Sequence, residues 1–423
     1  MKPSRWLSWG RKGALAVLDQ GLFSGANFLV NILLARWLPP EEYGAFAVAL
    51  SVFYLLAGFH TAVLTEPMMI FGAGKYREHF RKYLGMVLWG HWGVSALIAL
   101  GLGIAAWVFH RLGSTPMAQA LFGLAVTSPF LLLLWLTRRA CYAQLRPIWA
   151  VVGSGVNFLV VLGGLFLLWR WREISSFNGF LALGAGALLA SLFIATILKP
   201  QVAGYVGTPT ASMVVGDHRE YGKWNILAFS LYWASGQILM VLIPIFLGLE
   251  ASAAVAATLT LYRPVQQTVQ ALGSLVLPVF SRTVSGPGGR ERLRKEATFV
   301  ALLFGGGVGL YSLIVSVFSR PILHLLYGGK YDEHWVLIVL LGVALSFSAV
   351  TGAFVSVLKA SGNVADVTKI WTISTLVTSA LAIPLMQILN VKGAVFALLV
   401  GYALATFGSF RYFIKKVGHE GKR

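Results

Sequence analysis

A single cysteine, Cys141, and only 15 acidic residues stand among 423. One thiol excludes internal disulfides and any multi-cysteine metal site, and it reads as a small buried hydrophobe. No GxxxxGK[ST] stretch occurs, which excludes a Walker A phosphate loop, and no HExxH or comparable metal-ligand spacing is present. The run GGGVG at 305–309 lies in apolar sequence and reads as close helix packing, not as a nucleotide loop. Charge is scarce too, at 12% of residues, against 57% hydrophobic, 46 glycines and a mean hydropathy of +0.75. Soluble domains do not have that balance. The chain therefore reads as an all-α polytopic membrane protein with no cofactor or metal.

Twelve apolar runs begin near residues 13, 43, 83, 117, 147, 177, 221, 251, 298, 334, 365 and 391. The opening MKPSRWLSWGRKG, basic with two tryptophans, is an interfacial anchor. No small-residue cleavage site follows a short apolar core, so a cleaved signal is not expected. Of the 34 Lys and Arg, 26 fall between spans on the side of the N-terminus, 7 on the opposite side, and Arg263 within a span. This asymmetry is the positive-inside pattern and predicts both termini in the cytoplasm. It accounts for most of the net charge of +19, so no nucleic acid is needed as a partner. The stretch 199–220 clusters Gly, Pro, Thr and Ser before DHRE. It reads as a cytoplasmic linker between six-span halves at 1–198 and 221–414, with a basic tail at 415–423. The halves resemble each other. WLPPEEYGAFAV after the first span lies on FLGLEASAAVAA after the seventh, Glu41 on Glu250, which suggests a parallel 6+6 duplication.

The most informative stretch is TLYRPVQQTVQALGS, in which Thr260, Arg263, Gln267, Gln270 and Ser274 recur at steps of three and four and share one helical face. With entry near Ala251, Arg263 lies about 18 Å deep, near the middle of a hydrocarbon layer of about 30 Å. A charge there is kept where it faces a polar cavity, a substrate or a partner acid. Pro264 follows at once and frees the carbonyl of Thr260, which predicts a locally broken helix beside the charge. Arg263, Gln267 and Gln270 are taken as candidate substrate-binding residues.

Span one carries Gln20, Ser24, Asn27 and Asn31 on one face, suited equally to a sugar path and to helix–helix hydrogen bonds; Gln20, Asn27 and Asn31 are candidates for the former. Asp19, one step off that face, is either a cation or proton site or a partner for Arg11 or Lys12. Span two carries Ser51, Tyr54, Gly58, Thr61 and Thr65 on one face, with His60 near mid-depth and Glu66–Pro67 towards the cytoplasm. His60 and Glu66, with Asp19, are candidates for a coupling ion, H+ or Na+. Six residues apart, His60 and Glu66 lie roughly 120° from each other on a straight helix, so a direct pair requires a distortion at Pro67. Arg138 and Arg139 end span four, either as topogenic anchors or turned inward to meet a pyrophosphate.

LLARWLPPEEYGAFAVALSVF, after a first span containing GLFSGANFLVNI, resembles the polysaccharide biosynthesis transporters, the Wzx-type lipid-linked oligosaccharide flippases of the MATE-like exporter superfamily. Twelve spans in two six-helix bundles agree with that family along nearly the whole chain. The resemblance implies a bacterial inner-membrane flippase with a V-shaped central cavity lined by spans one, two, seven and eight. Its substrate would be an undecaprenyl-pyrophosphate-linked sugar unit, and its partners membrane lipid and other polysaccharide assembly proteins. The family has no strict catalytic motif to transfer, so the site residues above rest on position and chemistry. Two alternatives remain. One is a cation-coupled drug exporter of the same superfamily, against which Arg263 argues. The other is a membrane transferase, for which the outer stretch 319–334, with His324, Asp332, Glu333 and His334, is short.

Overall fold

The computed structural model describes the backbone of residues 3–284, 289–361 and 363–415, and it is helical there apart from short connections. Among the described residues, ten helices are long and apolar enough to cross a membrane. Two further long helices, Ala211–Leu247 and Leu249–Val284, stand at the places of the seventh and eighth expected spans. The chain divides into two compact units, Met1–Ser230 and Leu231–Arg423.

The first unit holds α1 (Pro3–Trp37), α2 (Pro40–His60), α3 (Glu66–Ala73), α4 (Phe80–Arg111), α5 (Thr115–Ala143), α6 (Pro147–Arg170), α7 (Ser176–Leu198) and the first half of α8 (Ala211–Leu247). A π-helical turn, Thr61–Thr65, joins α2 to α3 within one span. Proline stands in the first turn of α2, α5 and α6, where a missing N–H would have had no helical partner anyway. Ser175 caps α7 by accepting from the Asn178 N–H at 3.1 Å. Helix α5 is the hub, packed against α2, α3, α4, α6 and α7. Its contact with α7 is close because Gly184 has no side chain: a Cβ there would stand 2.5 Å from Thr127.

The expected linker is built into this unit. Residues 199–210 are irregular and pinned to α4: Arg81 donates to the Lys199 carbonyl at 2.7 Å, the Gln201 N–H to the Arg81 carbonyl at 2.9 Å, and Lys82 to the Val206 carbonyl at 2.8 Å. From Ala211 the chain is helical.

The second unit holds the rest of α8, α9 (Leu249–Val284), α10 (Gly289–Val317), α11 (Ser319–Tyr327), α12 (Trp335–Ala360), α13 (Val364–Leu389) and α14 (Val391–Phe413). Here α12 is the hub, packed against α9, α10, α11, α13 and α14. The pairings α4 with α5, α5 with α7, α6 with α7 and α2 with α5 recur as α10 with α12, α12 with α14, α13 with α14 and α9 with α12. Equivalent spans of the two units thus pack alike, as an internal duplication requires. In the GGGVG run, a Cβ on Gly305 would strike Val350 of α12, and one on Gly309 would lie 3.8 Å from Ser346, whereas Gly306 and Gly307 face open space. The run is a helix-packing face.

Helix α9 is continuous through Pro264 and is not broken beside Arg263. A proline removes one hydrogen bond, and the bonds on either side, together with packing, carry the helix past it. Packing is strong just before it. Tyr262 donates to the Ile338 carbonyl of α12 at 2.6 Å, Tyr311 of α10 to the Leu261 carbonyl at 2.6 Å, and Tyr327 of α11 to the Ala257 carbonyl at 2.9 Å.

Candidate functional site

In the first unit, Asp19 of α1 is buried and fully engaged. Arg138 of α5 grips it with both prongs of the guanidinium, Nε to Oδ1 at 3.1 Å and Nη2 to Oδ2 at 2.8 Å. Tyr142 of α5 donates to Oδ2 at 2.6 Å, and Ser154 of α6 donates to Oδ1. The guanidinium also lies over the Phe23 ring at 4.0 Å. The partner of Asp19 is thus Arg138; the side chains of Arg11 and Lys12 lie outside the described ones. Four donors on one carboxylate join α1, α5 and α6 in the low-dielectric interior, where a bidentate, fully satisfied pair is strongest.

Arg139 is arranged differently from its neighbour. Its side chain is exposed although protein surrounds it, it makes no hydrogen bond or ion pair among the described residues, and its charged neighbours are Glu66 and Arg138. Glu66 accepts from Tyr221 of α8 at 3.2 Å. On α1, Gln20 is exposed and donates to Ser24 at 2.8 Å. Asn27 and Asn31 turn their amides back to the carbonyls of Phe23 and Asn27, at 2.9 and 2.8 Å, and the Tyr43 hydroxyl approaches Asn31 Oδ1 at 3.4 Å. The polar stripe of α1 is therefore partly occupied by its own backbone.

Span two departs from a straight helix where Pro67 requires it. Pro67 has no N–H for the carbonyl of Val63 four residues back. The chain opens into the π-turn Thr61–Thr65, and His218 Nδ1 of α8 donates to the Val63 carbonyl at 2.9 Å. That bond fixes the tautomer, so Nε2 accepts from the Tyr83 hydroxyl at 2.7 Å. Beside His218, Asp217 accepts from Lys75 at 2.7 Å and from Tyr76. Burial alone would raise the Asp217 carboxyl, but the Lys75 and Tyr76 hydrogen bonds outweigh it and hold the group below the ordinary carboxylate range. Burial holds the His218 imidazole below its ordinary value against the opposing pull of the Val63 carbonyl and Asp217.

His60, at the edge of the π-turn, is buried and shares a hydrogen bond of 2.9 Å with His91 of α4. Thr65 lies 3.3 Å from its other ring nitrogen, and Ser95 lies 3.2 Å from His91 Nδ1. The pair joins α2 to α4.

In the second unit, α9 is buried from Ala251 to Thr258 and again from Thr260 to Tyr262, and it then turns half-buried at Arg263. Gln267 is half-buried and Gln270 exposed on the same face. Thr260 donates to its own helix, to the Ala256 carbonyl at 2.8 Å, so its hydroxyl is not presented. The side chain of Ser274 lies outside the described ones.

No family model matches the chain. Among proteins of known role, it is 25% identical over 366 residues, 82% of this chain and 68% of the other, to the succinoglycan biosynthesis transport protein ExoT of Rhizobium meliloti (strain 1021). Among solved structures it is similar to an inward-facing multidrug resistance MATE family transporter of the MOP superfamily, with a TM-score of 0.80, 13% identity and 94% of each chain covered. The chain has the MATE-like fold. The lipid II flippase MurJ in an inward closed conformation shares it, with a TM-score of 0.70 and 14% identity over 96% of this chain and 87% of that one.

The sequence singles out Asp19, Arg138, Arg139 and Arg263 because a charge in an apolar run is conspicuous. His91 is not among them, although the run GHWG in span three carries the same signal as His60. Nor are Tyr142, Ser154 and His218, because their roles consist of contacts with residues far away along the chain, for which no local pattern exists.

Proposed function

We propose that the chain is a flippase that carries a polyprenyl-pyrophosphate-linked oligosaccharide unit from the inner to the outer leaflet of a bacterial inner membrane, for surface or exopolysaccharide assembly. The observation that carries this reading is the face of α9. A helix whose preceding turns are buried opens at Arg263 into a row of one guanidinium and two amides, Gln267 and Gln270. A guanidinium fork suits phosphate oxygens, and amides suit sugar hydroxyls. The MATE-like fold and the similarity to a succinoglycan biosynthesis transporter support the same reading.

Transport is by alternating access, with glycan and pyrophosphate held by the protein and the polyprenyl chain left in lipid. Arg139, unpaired among the described residues, meets the pyrophosphate in the first unit, whereas Arg138 is committed to Asp19. An anion leaving an inside-negative cell gains about 2.3 kcal/mol per charge per 100 mV, so the potential alone can drive export. Glu66 and His60 remain the candidates for a coupling H+ or Na+. The test is flipping of a fluorescent polyprenyl-pyrophosphate oligosaccharide in vesicles holding the purified protein. Loss of the lipid-linked substrate from the outer leaflet on deletion of the protein is expected in cells. Export of a cationic amphiphile in the same vesicles, without flipping, would favour the drug-exporter reading that the MATE neighbours suggest.

A further inference from the structure

Helix α5 shows two surfaces, and they differ in kind. One lines an apolar groove of about 430 Å³ beside α4, with Leu100, Gly103, Trp107, Phe122 and Val126, as a lipid-facing surface would. The other runs through Leu131, Trp135, Arg139 and Tyr142 at steps of four, four and three, while residues 132–134 and 136–138 are buried. At about 100° per residue, Trp135 lies roughly 140–180° around the helix from Phe122 and Val126. This second face packs against rings of α1 and α2 and carries Arg139 beside Glu66, so it differs from the lipid-facing groove.

The rings on this second face form a platform. Tyr54 of α2 lies near-parallel to Trp135, at 26° with centroids 6.4 Å apart. Phe23 of α1 and Phe53 of α2 stand edge-on to it, at 76° and 74°, and fix its orientation. Phe53 is buried, whereas Trp135 and Tyr54 are half-buried. The Trp135 indole N–H makes no hydrogen bond among the described residues and is not sealed from solvent. Core tryptophans normally place that N–H on a partner. An indole that is oriented by its neighbours, open on one side and left with a free donor is built to receive something both apolar and hydroxylated.

We infer that Trp135 and Tyr54 form a stacking subsite for a pyranose ring, with Arg139, one turn further along α5, receiving the pyrophosphate attached to that sugar. The inference rests on the flippase reading and adds the subsite to it. The C–H face of a pyranose lies on the negatively polarised ring faces, and a hydroxyl at its rim takes the indole N–H. Arg139 supplies the charge because Arg138 is held by Asp19.

The test measures binding to the purified full chain of two soluble probes, geranyl-pyrophosphate-linked glucose and geranyl pyrophosphate. The wild-type chain should bind the sugar-bearing probe roughly tenfold more tightly. Trp135→Leu should abolish that difference and leave the sugarless probe unaffected, Trp135→Phe should keep most of it, and Arg139→Gln should weaken both probes about equally. If Trp135→Leu does not fold, Tyr54→Leu reads the same difference. The subsite is overturned if the leucine variant retains the tenfold preference, or if it weakens both probes alike, which would make Trp135 a contact for the tail or the pyrophosphate. A wild-type chain that binds neither probe overturns the flippase reading, and the subsite falls with it.

Discussion

At the scale of single residues, two adjacent arginines with the same sequence environment have opposite fates. Arg138 is buried on Asp19 with the geometry of a bidentate pair, and Arg139 opens to solvent. Breaking a buried pair leaves an uncompensated charge, so Asp19→Asn should lower the unfolding free energy by about 3–5 kcal/mol while leaving any dependence of transport on a proton or sodium gradient unaltered. Thermal unfolding in detergent and vesicle flipping measure the two quantities. A stable Asp19→Asn protein that has lost gradient dependence would make Asp19 the coupling site. Arg263 is predicted to behave in the reverse manner. Arg263→Ala should abolish flipping with the fold retained, and Arg263→Lys should restore part of it, because an ammonium attracts an anion without the bidentate fork. If the alanine variant instead unfolds, and Glu66→Gln rescues both stability and flipping, Arg263 is a structural partner.

Among the elements, span two is the one whose form departs most from its neighbours, and the cause is one missing N–H. Pro67 cannot donate to the Val63 carbonyl, so the helix widens into a π-turn and His218 of α8 supplies the donor. The staple joins span two to a part of α8 outside its apolar stretch, Gln237–Leu247. His218 and Asp217 both take up protons less readily in the folded chain than in the unfolded one. Stabilisation from His218 is therefore complete above the ordinary imidazole value, about 6.5, and declines as the pH falls below it; that from Asp217 declines at lower pH, through the carboxylate range. Corrected for the intrinsic slowing of amide exchange with falling pH, the protection of residues 61–70 should drop between pH 7 and 5, and His218→Ala should show the lower protection already at pH 7. An unchanged exchange rate in His218→Ala would mean that the π-turn does not depend on α8. Pro67→Ala, which restores the N–H, should make His218 dispensable.

For the whole molecule, the charge asymmetry makes a prediction that packing does not. A reporter fused after Gly421 should lie in the cytoplasm and one inserted between Leu112 and Ser114 outside it, because 26 of 34 basic residues fall on the N-terminal side of the spans. Protease protection or reporter activity in cells reads the result, and finding both reporters on one side would rule out the twelve-span topology. Trp107, Trp169 and Trp171 are exposed at the ends of α4 and α6, where an interfacial belt would stand.

Composition and periodicity alone determined that the chain is helical and membrane-embedded, and they singled out Asp19, His60, Arg138, Arg139 and Arg263, because each of these features is written in residues close together along the chain. The cost of a charge or a broken hydrogen bond in hydrocarbon arises locally, so it leaves a local mark. The tertiary structure decided which arginine is committed to Asp19. It also decided between two prolines: α9, packed through Tyr262, Tyr311 and Tyr327 in the turns before it, stays continuous through Pro264, and the opening comes at Pro67 instead. A proline states only that a carbonyl loses its donor. Whether the helix bends, widens or continues depends on which side chain from elsewhere in the chain reaches that carbonyl and what packs around it, and a sequence read along one line does not contain those neighbours.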